Sequence, residues 1–132
     1  MHEMTVRVYY EDTDFGGVVY YANYLKFIER GRTEALRAMG VDQVTLKAEG
    51  KVFVVRRANV DWLAPARFDD VLTVRTVPSW VKRASAAMRQ EVWRGPDKLL
   101  EAEVTIACMD LDARPARLPD AVRDGLTAAL PR

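Results

Sequence analysis

Residues 9–24 read YYEDTDFGGVVYYANY and join a predicted strand to a long amphipathic helix. Three acidic residues fall within four positions of this stretch, and two adjacent glycines, Gly16 and Gly17, follow them. A connection between a strand and a helix needs polar residues, but it does not need a carboxylate beside a flexible helix start. The composition of this connection therefore indicates a chemical site as well as a turn.

The same stretch combines two features of acyl-transfer chemistry. Gly16 and Gly17 allow unusual backbone conformations and let a ligand come close. The start of the following helix has free N–H groups and the positive end of its dipole, which would stabilise an oxygen that gains negative charge. A nearby carboxylate could serve as general base or as nucleophile toward the same reacting carbon. The sequence offers no Ser-His pair and no metal-ligand cluster here.

The composition indicates one domain, residues 1–132, of an ordinary globular class with 49% hydrophobic and 30% charged residues. The net charge of +1 does not suggest bulk nucleic-acid binding or membrane adsorption. The single cysteine, Cys108, excludes an internal disulfide and fits a reducing compartment. Because no long apolar run or signal core is visible, we expect a cytoplasmic protein without membrane insertion.

Alternation of apolar and polar residues predicts a first strand over residues 4–10, with Tyr10 on its buried side. Similar patterns and turn signals predict four further strands, and a short final helix is predicted with Pro119 near its first turn. They cover residues 52–63, 71–77, 84–93, 100–108 and, for the helix, 119–130, with Pro78-Ser79-Trp80 ending the strand of residues 71–77.

A long helix is predicted over residues 22–39, with Gly40 as its stop signal. Its apolar stripe contains Tyr24, Leu25, Ile28, Gly31, Ala35, Leu36 and Met39. Gly31 is costly in a helix, so we expect it to allow close packing on a sheet. Arg32 lies within the stripe, where it either reaches back to Glu29 or belongs to a subunit contact.

The order of elements predicts an α+β fold, in which a five-stranded antiparallel sheet carries one long helix against its face. A single helix of this length can cover only one face of such a sheet. We therefore expect a second copy of the chain to meet the other face or an edge.

Two blocks of the sequence resemble a known family. Residues 10–25, YEDTDFGGVVYYANYL, and residues 27–34, FIERGRTE, look like the hotdog-fold acyl-CoA thioesterases, in particular the 4-hydroxybenzoyl-CoA and Tol-Pal-associated branches. Shorter matches at residues 54–56, 65–70 and 82–85 extend the resemblance from about residue 5 to residue 110. Tyr21 stands where the Tol-Pal branch commonly has histidine, so the choice between the branches stays open.

The resemblance implies a sheet wrapped around a central helix and hydrolysis of acyl-CoA to a free acid and coenzyme A, without a cofactor or metal. It also implies homodimers joined edge to edge, often paired into a homotetramer, with active sites between subunits. The family's catalytic carboxylate matches Asp14, and its oxyanion contact matches the backbone N–H of Tyr21. The substrate-binding positions that we predict are Gly16, Gly17, Asn23, Tyr24 and, for the CoA phosphates, Lys82 and Arg83.

Other interpretations of these residues stay open. Asp14 could be only a turn or cap residue, and Asp12 could bind loop amides. A D-x-D motif after a strand also occurs in aspartyl-phosphate phosphatases, but the run of antiparallel strands argues against that class. His2 lies too near the terminus for a catalytic role, and Cys108 is predicted to be a core thiol. The alternative functions are a non-catalytic acyl-CoA binding module and a structural subunit with a vestigial site.

Overall fold

The computed structural model describes residues 1–132 as a single antiparallel sheet of five strands and three α-helices. The order across the sheet is β1-β3-β4-β5-β2. The elements are β1 His2–Arg7, α1 Asn23–Ala38, α2 Gln43–Ala48, β2 Lys51–Trp62, β3 Val71–Val81, β4 Ser85–Arg94, β5 Asp97–Asp110 and α3 Asp120–Ala128. The α+β prediction is confirmed. No helix combines the length and apolar character that a membrane crossing requires.

Helix α1 packs one face against the sheet, and its buried face includes Phe27, Ile28 and Leu36. The predicted stripe was wrong at Leu25, which is exposed, because the buried face turns toward Phe27 instead. Gly31 has the role that the sequence suggested. A Cβ atom there would lie 2.4 Å from Cγ1 of Val74 in β3, so the helix can approach the sheet only with glycine at this position.

Two predicted strand ends were wrong. Strand β1 ends at Arg7 and Tyr10 is exposed, because the chain enters a 3-10 turn at Tyr10–Asp12 in which the Asp12 carboxylate accepts a hydrogen bond from the Tyr9 N–H at 2.8 Å. Strand β3 continues through Pro78 to Val81. The pairing register of β3 shifts just after Pro78, and such an irregularity accommodates a residue without an N–H donor.

A polar network lies between α1 and the sheet. The buried Gln90 side chain donates to the Ile28 carbonyl at 2.7 Å and to Thr76 Oγ1 at 2.9 Å, and accepts from Arg32 at 2.9 Å. Arg32 is therefore bonded to the sheet rather than to Glu29, and burial lowers the pKa of its guanidinium. The expectation of a core thiol is confirmed, since Cys108 is buried.

Strand β2 has one open edge. It pairs with β5 on one side, and no strand of the chain pairs with its other side. This edge is 12 residues long, whereas the opposite edge strand, β1, has 6 residues. A long strand with unpaired backbone groups is a surface on which a further strand can add.

Candidate active site

The acidic glycine stretch forms a tight loop whose two sides meet at a bridge between Thr13 and Val19. Within it, the Asp14 N–H donates to the Val18 carbonyl at 2.9 Å, and the Gly17 N–H donates back to the Asp14 carbonyl at 3.0 Å. Gly17 has a φ of +81°, which residues with side chains rarely adopt. This conformation explains why the second residue of the glycine pair, Gly17, is a glycine.

The Asp14 carboxylate lies exposed at the tip of this loop. Its Oδ1 atom accepts a hydrogen bond from the Gly16 N–H at 2.9 Å, and its Oδ2 atom has no partner in the chain. One oxygen of Asp14 therefore has the bond of a turn residue, and the other oxygen is free to contact a substrate or water. A Cβ atom at Gly16 would lie 3.2 Å from Oδ1, so glycine here leaves room for the carboxylate.

The charge of Asp14 reaches the start of helix α1. The adjacent Tyr21 phenol is the largest cause that raises the pKa of the Tyr20 hydroxyl, and the Asp14 charge adds to it. Burial is the largest cause that raises the pKa of the Tyr24 hydroxyl, and Asp14 raises this pKa further. Both effects agree with a position of the carboxylate near the first turn of the helix.

The backbone before α1 leaves N–H groups free. The Tyr20 carbonyl accepts from the Asn23 N–H at 2.8 Å, which fixes the peptide between Tyr20 and Tyr21. Because a trans peptide directs its C=O and N–H to opposite sides, the Tyr21 N–H points away from this bond, and it has no acceptor in the chain. The N–H of Ala22 is also without an acceptor. Such free donors at a helix start suit an anionic oxygen.

An apolar cavity of about 300 Å³ lies beside this helix start. Its lining residues are Val18, Val19, Tyr21, Tyr24, Trp62, Leu63, Ala64 and Pro65. The Tyr24 hydroxyl accepts a hydrogen bond from the buried Ala66 N–H at 2.9 Å, so the ring of Tyr24 forms a wall of the cavity while its oxygen holds the neighbouring loop. A cavity with these walls suits an apolar group rather than a charged one.

Asn23 and Asp12 hold the loop against the helix. The Asn23 side-chain amide and the Tyr20 N–H both donate to the Asp12 carbonyl, at 2.9 and 3.0 Å. The expectation that Asp12 binds a loop amide is confirmed through Tyr9. One of the two side-chain N–H donors of Asn23 is thus used within the chain, and the contact of Asn23 with a substrate stays a prediction.

Lys82 and Arg83 lie far from Asp14 within one chain. They occupy the turn between β3 and β4, whereas the Asp14 loop follows β1, whose last residue Arg7 pairs with Val71 at the other end of β3. The 11 residues of β3 separate these two ends, which at about 3.3 Å per residue is roughly 35 Å along the strand. The ammonium group of Lys82 lies 4.6 Å from the centre of the Trp80 ring.

Sequence reasoning missed the role of Trp62. From the sequence, Trp62 was placed in the strand predicted over residues 52–63, and its side chain was given no role. In the structure the indole N–H of Trp62 donates to the Tyr21 carbonyl at 3.0 Å, and the two rings meet edge to face. No local pattern signals this contact, because the two residues are 41 positions apart.

Comparison with known proteins places the chain in a family. Residues 16–101 match the model of the Thioesterase superfamily, and the chain belongs to that family. The sheet and helix form the hotdog fold of solved thioesterase structures. A probable thioesterase from Bartonella henselae superposes with a TM-score of 0.85 at 41% identity, over 89% of this chain and 98% of that chain. The prediction of a thioester hydrolase is confirmed by this membership.

Two curated relatives are similar over most of their length. The acyl-CoA thioester hydrolase YbgC of Escherichia coli O6:H1 is 46% identical over 119 residues, which cover 89% of each chain. The acyl-CoA thioesterase YbgC of Haemophilus influenzae is 46% identical over 120 residues, which cover 89% of this chain and 88% of the relative.

Proposed function

We propose that this chain hydrolyses acyl-CoA thioesters to a free acid and coenzyme A, with Asp14 and the Tyr21 N–H as its catalytic groups. One observation carries the assignment of these groups. Tyr21, whose N–H is free, and Val18 both line the apolar cavity, and the Val18 carbonyl accepts a hydrogen bond from the backbone N–H of Asp14, so the carboxylate with its free oxygen lies on the loop that forms one wall of this cavity. The two similar YbgC proteins act on acyl-CoA, which supports this substrate class.

In the proposed reaction the acyl group occupies the cavity and the thioester oxygen accepts a hydrogen bond from the Tyr21 N–H. Negative charge develops on this oxygen when the carbonyl carbon is attacked, and the donor is already oriented because Asn23 fixes the Tyr20 carbonyl. Asp14 either removes a proton from the attacking water or attacks the carbon itself and forms a mixed anhydride. In both routes the sulfur of coenzyme A leaves as the thiolate.

The test of Asp14 is its replacement by asparagine. Asp14→Asn keeps an oxygen that can accept the Gly16 N–H, so the loop should retain its shape, while the proton acceptor or nucleophile is lost. We expect release of free thiol from acyl-CoA to fall by at least about 100-fold. The matched control is Glu11→Gln, which removes the same charge three positions before Asp14. The Glu11 side chain is exposed and makes no hydrogen bond within the chain. Turnover close to wild type in Asp14→Asn would contradict the assignment.

A chain-length panel of acyl-CoA thioesters separates hydrolysis from the alternative of a binding module. Hydrolysis releases thiol with at least one member of the panel. A chain that binds acyl-CoA and leaves it intact contradicts the proposed function and supports the binding module. Single turnover in oxygen-18 water then tests the direct attack by Asp14, because label in the protein carboxylate requires a mixed anhydride that water opens at the carboxyl carbon of Asp14.

We also propose that a second chain completes the site. The open edge of β2 supports antiparallel pairing of two β2 strands, as does the resemblance to edge-to-edge dimers. Ser85 pairs with Ala107 and Ala107 with Val54, so the turn of Lys82 and Arg83 lies beside the first half of β2, while Trp62 and the cavity lie at its end. Antiparallel pairing brings these opposite ends of two chains together, where the two cations would face the CoA phosphates.

Complementation between two inactive variants tests the shared site. One variant carries Asp14→Asn, and the other carries Lys82→Ala with Arg83→Ala. If each site takes Asp14 from one chain and the cations from the other, a mixed dimer contains one intact site. The two variants are refolded together and assayed with limiting acyl-CoA. The mixture should then show activity that neither variant has alone. Activity of the mixture equal to the mean of the separate variants would contradict the shared site.

A further inference from the structure

The indole of Trp62 is the single hydrogen-bond donor to the Tyr21 carbonyl within the chain. The distance from Nε1 to the carbonyl oxygen is 3.0 Å, and the Trp62 and Tyr21 ring centres lie 5.7 Å apart at an interplanar angle of 77°. The neighbouring carbonyls are used by the backbone, since Tyr20 accepts from Asn23 and Ala22 accepts from Leu25. Trp62 therefore binds the one carbonyl of this turn that helix α1 does not use.

The two peptides that flank Tyr21 are fixed from different parts of the molecule. Asn23 holds the peptide before Tyr21 from within the helix, and Trp62 holds the peptide after it from the end of β2. Together the two bonds set the backbone of Tyr21 and thus the direction of its free N–H. A hydrogen bond to the carbonyl also polarises the N–H of the same peptide, which belongs to Ala22.

We propose that Trp62 is a positioning residue, which orients the helix-start N–H groups toward the thioester oxygen through its bond to the Tyr21 carbonyl. The inference rests on the proposed function of the Tyr21 N–H. A role in packing alone fits the structure less well, because the indole N–H is directed at the Tyr21 carbonyl at 3.0 Å. This hydrogen bond joins the end of strand β2 to the turn that contains Tyr21.

The test is Trp62→Phe, which keeps an aromatic ring beside Tyr21 and removes the indole N–H together with the second ring of the indole. The Tyr21 carbonyl can bind water instead, so the thermal midpoint should change little. We expect kcat to fall about tenfold with KM nearly unchanged, because the lost orientation matters only when charge develops on the oxygen. The matched control is Trp93→Phe, which deletes an indole bond of 3.2 Å to Glu91 elsewhere in the sheet and should retain wild-type kcat.

A readout without turnover accompanies the kinetics. In amide NMR spectra Trp62→Phe should shift the Tyr21 and Ala22 resonances, whereas Trp93→Phe should leave them in place. Wild-type kcat in Trp62→Phe, or a change in KM alone, would overturn the positioning role and leave the proposed hydrolysis standing. A wild-type chain that releases no thiol from any acyl-CoA would overturn the proposed function and this inference with it.

Discussion

Gly31 of α1 and Val74 of β3 are in contact across the interface of helix and sheet. A Cβ atom at Gly31 would lie 2.4 Å from Cγ1 and 3.2 Å from Cβ of Val74, and Val74 is fully buried. The separation of the helix from the sheet is set at this contact, because protein interiors have little free space. The start of α1, which carries the candidate N–H donors, is held relative to the sheet by the same packing.

We predict that Gly31→Ala lowers the free energy of unfolding by about 1 kcal/mol, because overpacking outweighs the gain in helix propensity. Urea denaturation of the purified variant measures the change. The double variant Gly31→Ala with Val74→Ala removes the clashing methyl group and should be less destabilised than the sum of the single changes. Stabilisation by Gly31→Ala alone would show that α1 moves away from β3 without cost.

Much of the fold could be predicted from the sequence, since helix α1 and the five strands were recognised from periodicity and turn signals. The local glycine signals were also sound, as Gly17 and Gly31 both show. The contacts at the site could not be predicted in the same way. Tyr24 lines the cavity, and its hydroxyl is held by the Ala66 N–H from a position 42 residues away, which no local pattern reveals.

The remaining errors also have physical causes. Tyr10 has the alternation of a buried strand residue, but the capping bond of Asp12 to the Tyr9 N–H turns the chain out of the sheet before it. Pro78 looks like the end of a strand, and a shift in register allows the strand to continue instead. Both outcomes depend on partners that periodicity does not reveal.

The Asp70 carboxylate holds the loop that supports the cavity. It accepts hydrogen bonds from the Arg67 N–H and from the Arg94 guanidinium, each at 2.9 Å, and Arg94 also binds the Pro65 carbonyl at 3.2 Å. Burial by itself would raise the pKa of Asp70, but these hydrogen bonds and the charge of Arg94 outweigh it and lower the pKa. The ionised carboxylate is therefore the form that the fold favours.

We predict that the ionised Asp70 carboxylate stabilises the folded state and that this stabilisation is lost at low pH. Its contribution is fully present above the ordinary aspartate pKa of about 3.9 and is lost as the pH falls through the lower pKa of the folded state. Asp70→Asn should destabilise the protein at pH 7, and the difference from wild type should shrink below about pH 4. Urea denaturation across this pH range measures both. A difference that stays constant down to pH 2 would contradict the assignment.

Gly17 and Gly16 should respond differently to alanine. At Gly17 no atom would contact a Cβ, but the φ of +81° is strained for alanine. We predict that Gly17→Ala lowers the free energy of unfolding by about 1 kcal/mol and that Gly17→Asn recovers part of it, because asparagine tolerates this conformation better. Thermal denaturation of the two variants compares them directly. Equal stability of alanine and asparagine at this position would contradict the role of φ.

At Gly16 the cost should fall on activity rather than stability. A Cβ atom there would lie 3.2 Å from Oδ1 of Asp14, the oxygen that accepts the Gly16 N–H at 2.9 Å, so the carboxylate must move by a few tenths of an ångström. We predict for Gly16→Ala a free energy of unfolding within about 0.5 kcal/mol of wild type and a kcat/KM at least about tenfold lower. Stability and thiol release are measured on the same preparation. Full activity in Gly16→Ala would mean that the position of the Asp14 carboxylate does not limit the reaction.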